Sequence, residues 1–488
     1  MTATDHSLQH LISVASTYAD EIGEEIFLVG GAIRDILLGN IPTELDLLIQ
    51  GNAFALAHEL ANHADSKVVE IDSQYQLVYR VPLPDGGIDV IETSESLRDN
   101  LGFRDFTINS MAVPVKHISD KEFITVGNDK ILDPFSGQQD IQDRVIRMTN
   151  KSVFADDPIR AIRAARFIGQ FDFEVEPATM RQLTAVDFRT DMVSPDRLSR
   201  ELVLLFQSKH YLKGLEFLAA TGILAELFPY LRECMTQDQS APHILNVYDH
   251  QLQAARYLEQ IVGERDLSEV SSEQVARTHP ELNSELQKLI PSGHPLASLR
   301  MAVLLHDVGK PSTANFVDGK WRFFDHPGVG ANILRAHLIR CRFSNEFVES
   351  ITLLVQNHMR LGQLIELGDH VSERAIFRLH RDVGKSIGSL ALLYLSDTFA
   401  TVDSNESTEA FLMKQTRLLT IVNWEPSEAA KQLNSWINGE TVMELLGIGP
   451  GPEVGQILDS LELATVDGLI KSETDARNFV ADLSTNGM

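Results

Sequence analysis

The chain has 488 residues, of which 43% are hydrophobic and 23% charged, and its 42 basic and 69 acidic side chains give a net charge of −27. At roughly 100–200 residues per domain, this length predicts three or four domains. The acidic balance excludes a protein that coats nucleic acid or anionic membrane along its whole length, because both need a positive surface. Two cysteines, Cys234 and Cys341, exclude a disulfide scaffold. With no secretory leader pattern and no apolar run of about 18 residues, we expect a cytoplasmic protein without a membrane segment.

The N-terminal part of the chain predicts a mixed α/β fold. Predicted strands cover Ile26–Val29, Glu44–Ile49, Gln76–Val81 and Ile88–Ile91, and a predicted helix covers Ala32–Leu38. From about position 140 to the end, helical periodicity dominates, with breaks at glycine, proline and serine clusters. The sequence therefore predicts an α+β protein, with a small α/β head followed by an extended all-α body.

Two adjacent glycines, Gly30 and Gly31, stand between the first predicted strand and the helix that follows it. Such glycines let the backbone approach a ligand closely, and the free N–H groups at a helix start attract phosphate. Arg34, in the first turn, can reach a phosphate oxygen. A glycine pair before a helix is also a common tight turn, so this feature alone leaves both interpretations open.

Three acidic residues fall on predicted strands. Glu44 and Asp46 are two positions apart, so their side chains leave the same face of a strand, with roughly 7 Å between their Cα atoms. Asp89 can supply a third carboxylate from a neighbouring strand. Carboxylates grouped in this way can hold divalent metal ions for an in-line displacement. A solvent-facing acidic stripe is the alternative interpretation.

Two later segments carry polar residues at fixed spacing. Positions 104–109 read Arg-Asp-Phe-Thr-Ile-Asn. Further on, Arg160, Arg163 and Arg166 recur every three residues along a predicted helix, with no acid between them. Because solvated helix faces usually intersperse acids, this pattern predicts an uncompensated arginine ridge that contacts phosphate. A solvated helix face is again the alternative.

Together these motifs resemble the class II tRNA nucleotidyltransferases, the group of CCA-adding enzymes and bacterial poly(A) polymerases within the polymerase-β-like superfamily. The match runs in order over about residues 26–230. It includes Leu-Val-Gly-Gly-Ala-Ile-Arg-Asp, Arg-Asp-Phe-Thr-Ile-Asn, Leu-Asp-Pro-Phe-Ser-Gly and Asp-Asp-Pro-Ile-Arg. The resemblance implies a polymerase-β-like head that transfers nucleotides to the 3′ end of tRNA by two-metal catalysis with Mg²⁺.

The resemblance also implies roles for individual residues. Catalysis falls to Glu44, Asp46 and Asp89, with Mg²⁺ carried by the first two. The implied nucleotide-binding residues are Gly30, Gly31, Arg34, Arg104, Asp105, Asn109, Asp157, Arg160, Arg163 and Arg166. Among them Asp157 and Arg160 would read the incoming base. A carboxylate accepts from the exocyclic amine of cytosine or adenine, and a guanidinium donates to a ring nitrogen or carbonyl oxygen.

Two departures from the family pattern stand out. The family's metal pair is normally Asp-x-Asp, whereas this chain has Glu44-Leu45-Asp46. The extra methylene moves one carboxylate by about one C–C bond, and Mg²⁺ demands near-ideal octahedral geometry. The connection from Asp89 to Arg104 is only fifteen positions long, shorter than CCA-adding members usually carry. This short connection resembles the CC-adding branch, so CMP is the expected nucleotide and AMP the second candidate.

Histidines and aspartates recur in the middle of the chain. An apolar run ends at His306 and Asp307, with His250 upstream and Asp397 downstream. This pattern resembles the HD superfamily of metal-dependent phosphohydrolases over about residues 243–400. It implies an HD site in which imidazole and carboxylate ligands hold a divalent metal that activates water. Satisfied core histidines are the alternative interpretation.

The sequence thus predicts a nucleotidyltransferase head at 1–137, a helical base-selecting and RNA-binding neck at 138–235, an HD domain at 236–405 and a helical tail at 406–488. The expected partners are the 3′ end of tRNA, CTP and ATP, with neither a membrane nor DNA. A CC-adding enzyme or a poly(A) polymerase would carry the same motifs. An alternative of another class is an HD phosphohydrolase with an inactive head. The glutamate at position 44, where the family normally has aspartate, leaves this alternative open.

Overall fold

The computed structural model describes residues 3–72, 77–119, 125–186, 188–262, 284–285, 288–401 and 408–485. The chain separates into two compact units, Met1–Leu227 and Phe228–Met488. The described part of the first unit combines a mixed sheet with helices, and that of the second is helical apart from one hairpin. The predicted fold class, an α/β head followed by a helical body, is confirmed.

The first unit is built on a six-stranded sheet in the spatial order β3-β4-β5-β2-β1-β6. Its strands are β1 Ile26–Val29, β2 Glu44–Ile49, β3 Val69–Asp72, β4 Leu77–Leu83, β5 Gly86–Glu92 and β6 Ala112–Pro114. β2 runs parallel to β5, and the other neighbouring strands are antiparallel. Leu45, Leu47 and Leu48 are buried, which places apolar side chains on both faces of β2.

The predicted elements of the head lie within a few residues of their expected positions. The helix after β1 is Gly31–Leu37. Gln76, the first residue of one predicted strand, lies outside the described residues, and the remainder of that strand belongs to β4. The side chain of Asn52 accepts a hydrogen bond from the N–H of Ala55 and so caps the N-terminus of helix Ala53–His63. The other helices of this region are Ala3–Ile22, Leu97–Gly102 and Gly137–Gln142.

The described part of the first unit continues with helices Val153–Asp156, Ile159–Phe171, Pro177–Ala185, Pro195–Gln207, Tyr211–Ala220 and Ile223–Leu227. Helix Ile159–Phe171 packs against both Pro195–Gln207 and Tyr211–Ala220. Gly214 permits the second contact, since a Cβ there would overlap the carbonyl of Ala165. Two short strand pairs also lie in this unit: β7 Ile118–Ser119 with β8 Thr125–Val126, and β9 Val145–Ile146 with β10 Glu174–Val175.

The helices described in the second unit are Leu231–Thr236, Val247–Val262, His294–Leu305, Lys310–Thr313, His326–Arg340, Asn345–Glu366, Glu373–Val383, Ile387–Thr401, Thr408–Val422, Glu428–Trp436, Gly439–Leu446, Pro452–Val466 and Glu473–Thr485. The last four share an apolar core around Leu433, Ile457 and Leu461. No helix in the described ranges is long and apolar enough to span a bilayer.

A β-hairpin interrupts the helical body, which the sequence analysis did not predict. β11 Ala314–Val317 pairs with β12 Lys320–Phe323 in antiparallel register. The two turn residues, Asp318 and Gly319, have φ values of 53° and 74°. An Asp-Gly pair with positive φ at both positions matches the right-handed twist of the flanking strands, which explains the hairpin.

Candidate active site

Three carboxylates share one face of the sheet. In the pairing of β2 with β5, Asp46 stands directly opposite Asp89, and Glu44 stands opposite Gly87. Directly opposite residues share a face of the sheet, as do residues two apart on one strand. The structure therefore brings Glu44, Asp46 and Asp89 together, as the sequence predicts.

Arginines neutralise part of this charge. Arg80, on β4, donates from Nη2 to Glu44 Oε1 at 2.7 Å, and its Nη1 lies 3.2 Å from Asp89 Oδ2. Arg104 Nη1 lies 3.5 Å from Asp46 Oδ2. Burial raises the pKa of Asp89 to about 6, although Arg80 acts in the opposite direction. No local pattern in the sequence marks Arg80, because its position opposite Asp89 follows from strand register.

Gly30 lies at the end of β1 beside these carboxylates. Its φ is +83°, in the left-handed region that favours glycine. A Cβ at this position would lie 2.8 Å from Asp46 Oδ2 and would overlap the guanidinium of Arg104. The backbone conformation therefore favours glycine here, and a Cβ would in addition displace the side chains of Arg104 and Asp46. Gly31 begins the helix that follows.

Arg34, on the helix after β1, is buried. It donates from Nη1 to Asn109 Oδ1 at 2.6 Å and from Nη2 to Asp35 Oδ1 at 2.8 Å. Its guanidinium lies 5.1 Å and 4.7 Å from the ring centres of Phe167 and Phe171. These contacts hold Arg34 in place, and its contact with a triphosphate stays a prediction.

Asp105 is buried in a hydrogen-bond network. It accepts from the side-chain amide of Asn109 at 2.9 Å, the backbone N–H of Phe106 at 2.8 Å and Nε of Arg163 at 2.7 Å. Burial acts to raise the pKa of Asp105, but Arg163 and these hydrogen bonds hold it well below its usual range. Asn109 also accepts from Arg34, so the network reaches the helix after β1.

The arginine ridge of helix Ile159–Phe171 is compensated. Arg163 donates from Nη1 to Glu201 Oε1 at 3.0 Å, and Arg166 Nε lies 2.7 Å from Glu201 Oε2. Burial lowers the pKa of Arg166 to about 10. The expectation of an uncompensated ridge is wrong, because its acids come from distant segments. Glu201 and Asp105 are 38 and 58 residues from Arg163. Phosphate contact by these arginines stays a prediction.

The two predicted base-reading residues lie at the start of the same helix. Arg197 donates two hydrogen bonds to Asp157, one to each carboxylate oxygen, at 3.2 and 2.6 Å. Arg160 donates to the backbone carbonyls of Val153 and Phe103 at 3.2 and 2.7 Å, and its Nε lies 3.9 Å from Asp157 Oδ2. The protein thus holds both side chains in fixed orientations. Arg197, which is 40 residues from Asp157, gave no local signal in the sequence.

The second unit contains the histidine–aspartate cluster. The ligand atoms of His250, His306 and Asp307 lie within 4.8 Å of one another. Asp397 Oδ1 lies 2.8 Å from His250 Nε2 and 3.5 Å from His306 Nε2, so the four predicted residues meet in one place. Burial acts to raise the pKa of Asp307, but His306 and Lys310 hold it well below its usual range.

Two further histidines join this cluster. His326 Nε2 and His358 Nε2 lie 3.3 and 3.6 Å from Asp307 Oδ1, and the three ligand atoms lie within 4.8 Å of one another. Asp307 therefore belongs to two candidate ligand groups. The sequence gives no separate signal for His326 and His358 as ligands, because an isolated histidine on an apolar helix is usually part of a core.

Backbone carbonyls orient three of the imidazole rings. Nδ1 of His306, His326 and His358 lies 2.8, 2.8 and 2.7 Å from the carbonyl oxygen of the residue three positions earlier. An Nδ1–H that donates to a carbonyl leaves the Nε2 lone pair for a metal, the usual arrangement of a ligating histidine. Among the described residues, His306 Nε2 has no well-aligned hydrogen-bond partner although it is buried. These donors fit a divalent metal.

A cavity of about 820 Å³ opens onto the cluster at Asp307, His326 and Asp397. Lys310 Nζ lies 2.6 Å from Asp307 Oδ2. Cationic walls favour an anionic ligand, and aromatic walls favour a planar group beside it. The cationic and aromatic lining residues include Lys310, Lys320, Arg322, Lys414, Trp321, Phe323 and Tyr394.

Three family models match the chain. The model of the poly A polymerase head domain matches residues 26–86 and 80–147. The model of the probable RNA and SrmB-binding site of polymerase A matches 172–235, and the HD domain model matches 247–378. The carboxylate group falls within the first of these matches and most of the histidine–aspartate cluster within the third.

Curated relatives align with nearly the whole chain. An A-adding tRNA nucleotidyltransferase of Deinococcus radiodurans is 30% identical over 93% of this chain and 94% of its own length. A CC-adding tRNA nucleotidyltransferase of Thermus thermophilus is 26% identical over 94% of this chain and 93% of its own length.

Solved structures share the fold. The CCA-adding enzyme of Thermotoga maritima complexed with tRNA superposes with a TM-score of 0.56 at 22% identity, covering 97% of this chain and 95% of that enzyme. A CCA-adding enzyme with ATP gives a TM-score of 0.59 at 20% identity, covering 99% of this chain and 94% of the other. The fold and the two sites define a nucleotidyltransferase joined to an HD domain. The curated relatives that align over nearly their whole length give a more specific assignment. The chain belongs to the tRNA nucleotidyltransferase family.

Proposed function

We propose that this chain adds CMP, and AMP as a second nucleotide, to the 3′ end of tRNA. The observation that carries the proposal is the group of Glu44, Asp46 and Asp89 on one sheet face beside Gly30, in a member of this family. The full-length relatives include one named A-adding and one named CC-adding, so similarity favours a tRNA 3′ end without separating the two nucleotides. The short connection after Asp89 favours CMP.

The three carboxylates fit Mg²⁺, which prefers oxygen ligands. When bound, Mg²⁺ would neutralise the triphosphate and stabilise the attacking and leaving oxygens of an in-line displacement. Arg104, beside Asp46, would bind a phosphate oxygen. Gly30, which has no side chain of its own, would let the backbone approach the triphosphate.

Selection of the base would fall to Asp157 and Arg160. The Asp157 carboxylate keeps acceptor positions beyond the two that Arg197 uses, so it can accept from the exocyclic amine of cytosine or adenine. Arg160 would donate to a ring nitrogen or carbonyl oxygen of the same base. Uracil and guanine present the opposite donor pattern at these edges, so the protein can choose the nucleotide without a nucleic-acid template.

The Asp46→Asn variant tests the proposed reaction. We expect the wild-type chain to extend tRNA that lacks its CCA end, and the variant to lose about a hundredfold or more in rate, since the carboxylate charge is removed. The measurement is a single-turnover assay with one nucleoside triphosphate at a time. Asp191→Asn, at an exposed acid paired with Arg189, is the matched control. Activity of Asp46→Asn within a few-fold of wild type would contradict the assignment, and long A tails would indicate a poly(A) polymerase.

The Arg197→Met variant tests base selection. Without its bidentate partner, Asp157 loses its fixed orientation, and a polar group of the bound base is left poorly paired, at a cost of about 1–3 kcal/mol. We expect the preference for CTP over UTP to fall about ten- to a hundredfold, with a smaller change in the rate with CTP. Competition between the two triphosphates measures this ratio. An unchanged ratio, equal to that of the exposed control Arg189→Met, would remove Arg197 from base selection.

We also propose that the HD unit hydrolyses a phosphoester. The histidine–aspartate cluster opens into a cavity lined by cations, as an anionic ester requires. When bound, a divalent metal would supply an activated water at neutral pH. Lys310 and its cationic neighbours would hold the phosphate, and Trp321 would contact an attached planar group.

The Asp307→Asn variant tests this second activity. Asp307 belongs to both ligand groups, so we expect the variant to lose bound metal and at least about tenfold in hydrolysis of a 2′,3′-cyclic nucleotide. Nucleotide addition should persist, because its proposed residues lie in the first unit. Metal content by mass spectrometry and hydrolysis by chromatography are the measurements. Full metal content and hydrolysis in the variant would contradict the proposal, and so would a wild-type chain without metal-dependent hydrolysis.

A further inference from the structure

One helix of the first unit reaches both the base-reading residues and the carboxylate group. Helix Pro195–Gln207 carries Arg197, which donates to Asp157. It also carries Arg200, whose Nη2 lies 3.6 Å from Glu44 Oε1. Residues three apart are neighbours on one helix face, so both arginines project from the same side of the helix. The first faces a predicted base-reading residue, and the second faces the carboxylates.

Arg200 is only loosely held by the protein. Its side chain is 66% exposed, and its 3.6 Å ion pair with Glu44 is longer than a hydrogen bond. Within the described ranges its guanidinium donates no hydrogen bond. Glu44 already accepts from Arg80 at 2.7 Å, so it does not depend on Arg200 for a partner. Exposed pairs of this length add little to stability, which leaves the five N–H donors of Arg200 available to a ligand.

Most other arginines around the site are bound more tightly. Arg80 donates to two of the carboxylates, and Arg160 donates to two backbone carbonyls. At most a quarter of either side chain is exposed. Arg104 resembles Arg200, since it makes one long ion pair, at 3.5 Å, with Asp46. Two guanidiniums with unused donors therefore face the carboxylate group, one from the segment after β5 and one from a helix.

A nucleoside triphosphate fits the two ends of this helix face. Its base and its phosphates lie at opposite ends of the molecule, with the sugar between them. Under the proposed function the base contacts Asp157 and the phosphates lie at the carboxylates. Arg197 is occupied with Asp157, whereas Arg200, one turn further on, faces the charged end. A guanidinium can donate two parallel hydrogen bonds to a phosphate, which makes arginine well suited to this group.

We propose that Arg200 binds a phosphate of the incoming nucleoside triphosphate. The proposal rests on the proposed nucleotide addition and adds a phosphate-binding residue to it. Arg104, the other arginine with unused donors, comes from the segment after β5, and Arg200 adds a contact from a helix distant in the chain. One helix would thus orient the base-reading carboxylate and hold the phosphates of the same nucleotide.

The first test measures CTP affinity of the full chain by isothermal titration calorimetry, with Mg²⁺ and without tRNA. Asp307→Asn is added to every variant, so that metal at the histidine–aspartate cluster does not contribute. We expect Arg200→Met to weaken CTP binding by about tenfold, since charge-assisted hydrogen bonds are lost, and Arg200→Lys to weaken it by about threefold. Arg189→Met, at an arginine that is 59% exposed, is the matched control. Equal affinities of Arg200→Met and Arg189→Met would overturn the proposal.

The second test separates phosphate binding from a structural role of the helix. During addition to tRNA, Arg200→Met should raise the KM for CTP by about tenfold and change the KM for tRNA by less than about threefold. The preference for CTP over UTP should stay within about twofold of wild type, because both nucleotides carry the same phosphates. Arg197→Met, on the same helix face, should lower that preference.

Two results of the second test would overturn the proposal. A fall in the preference for CTP over UTP in Arg200→Met, as in Arg197→Met, would show that the substitution displaces the helix. A rise in the KM for tRNA with an unchanged KM for CTP would assign Arg200 to the RNA backbone.

The two experiments also separate this inference from the proposed function. CTP affinity does not require turnover, so the first test decides by itself whether Arg200 binds the triphosphate. A wild-type chain that binds CTP through Arg200 but extends no tRNA would contradict the proposed function alone.

Discussion

The first unit depends on the buried ion pair between Asp105 and Arg163. An isolated charge in a protein interior costs several kcal/mol, which only good geometry and additional hydrogen bonds offset. Here the pair is 2.7 Å long, Asn109 and the backbone of Phe106 donate to the carboxylate, and Glu201 accepts from the other side of the guanidinium. The segment after β5 and helices Ile159–Phe171 and Pro195–Gln207 thus meet at these paired charges.

This pair also organises the surroundings of the carboxylate site. Arg104 immediately precedes Asp105 and faces Asp46, so the position of one charge fixes the approach of the other. Asn109 links Asp105 to the buried Arg34, whose guanidinium lies over the rings of Phe167 and Phe171 on helix Ile159–Phe171. The residues expected to contact the triphosphate are thus supported by one polar network rather than by separate loops.

Local patterns account for what the sequence could predict. The period of two along β2 placed its acidic pair on one face, and the apolar runs located the strands and most helices. The residues that pair with the site's acidic side chains could not be predicted. The position of Arg80 opposite Asp89 follows from strand register, and that of Arg197 beside Asp157 follows from the packing of helices distant in the chain. Glu201 likewise compensates the arginine ridge from another helix. The Asp318-Gly319 hairpin had a local turn signal, which the helical periodicity around it obscured.

The most direct test of the Asp105–Arg163 pair is hydrogen–deuterium exchange of helix Ile159–Phe171 in the Asp105→Asn variant. The substitution keeps the side-chain volume and removes the negative charge that Arg163 faces in the interior. We expect the free energy of opening of this helix to fall by about 3–5 kcal/mol, as for other broken buried pairs. The exposed control Asp191→Asn should change it by less than about 0.5 kcal/mol. Unchanged exchange in the Asp105→Asn variant would contradict the conclusion that this pair holds the unit together.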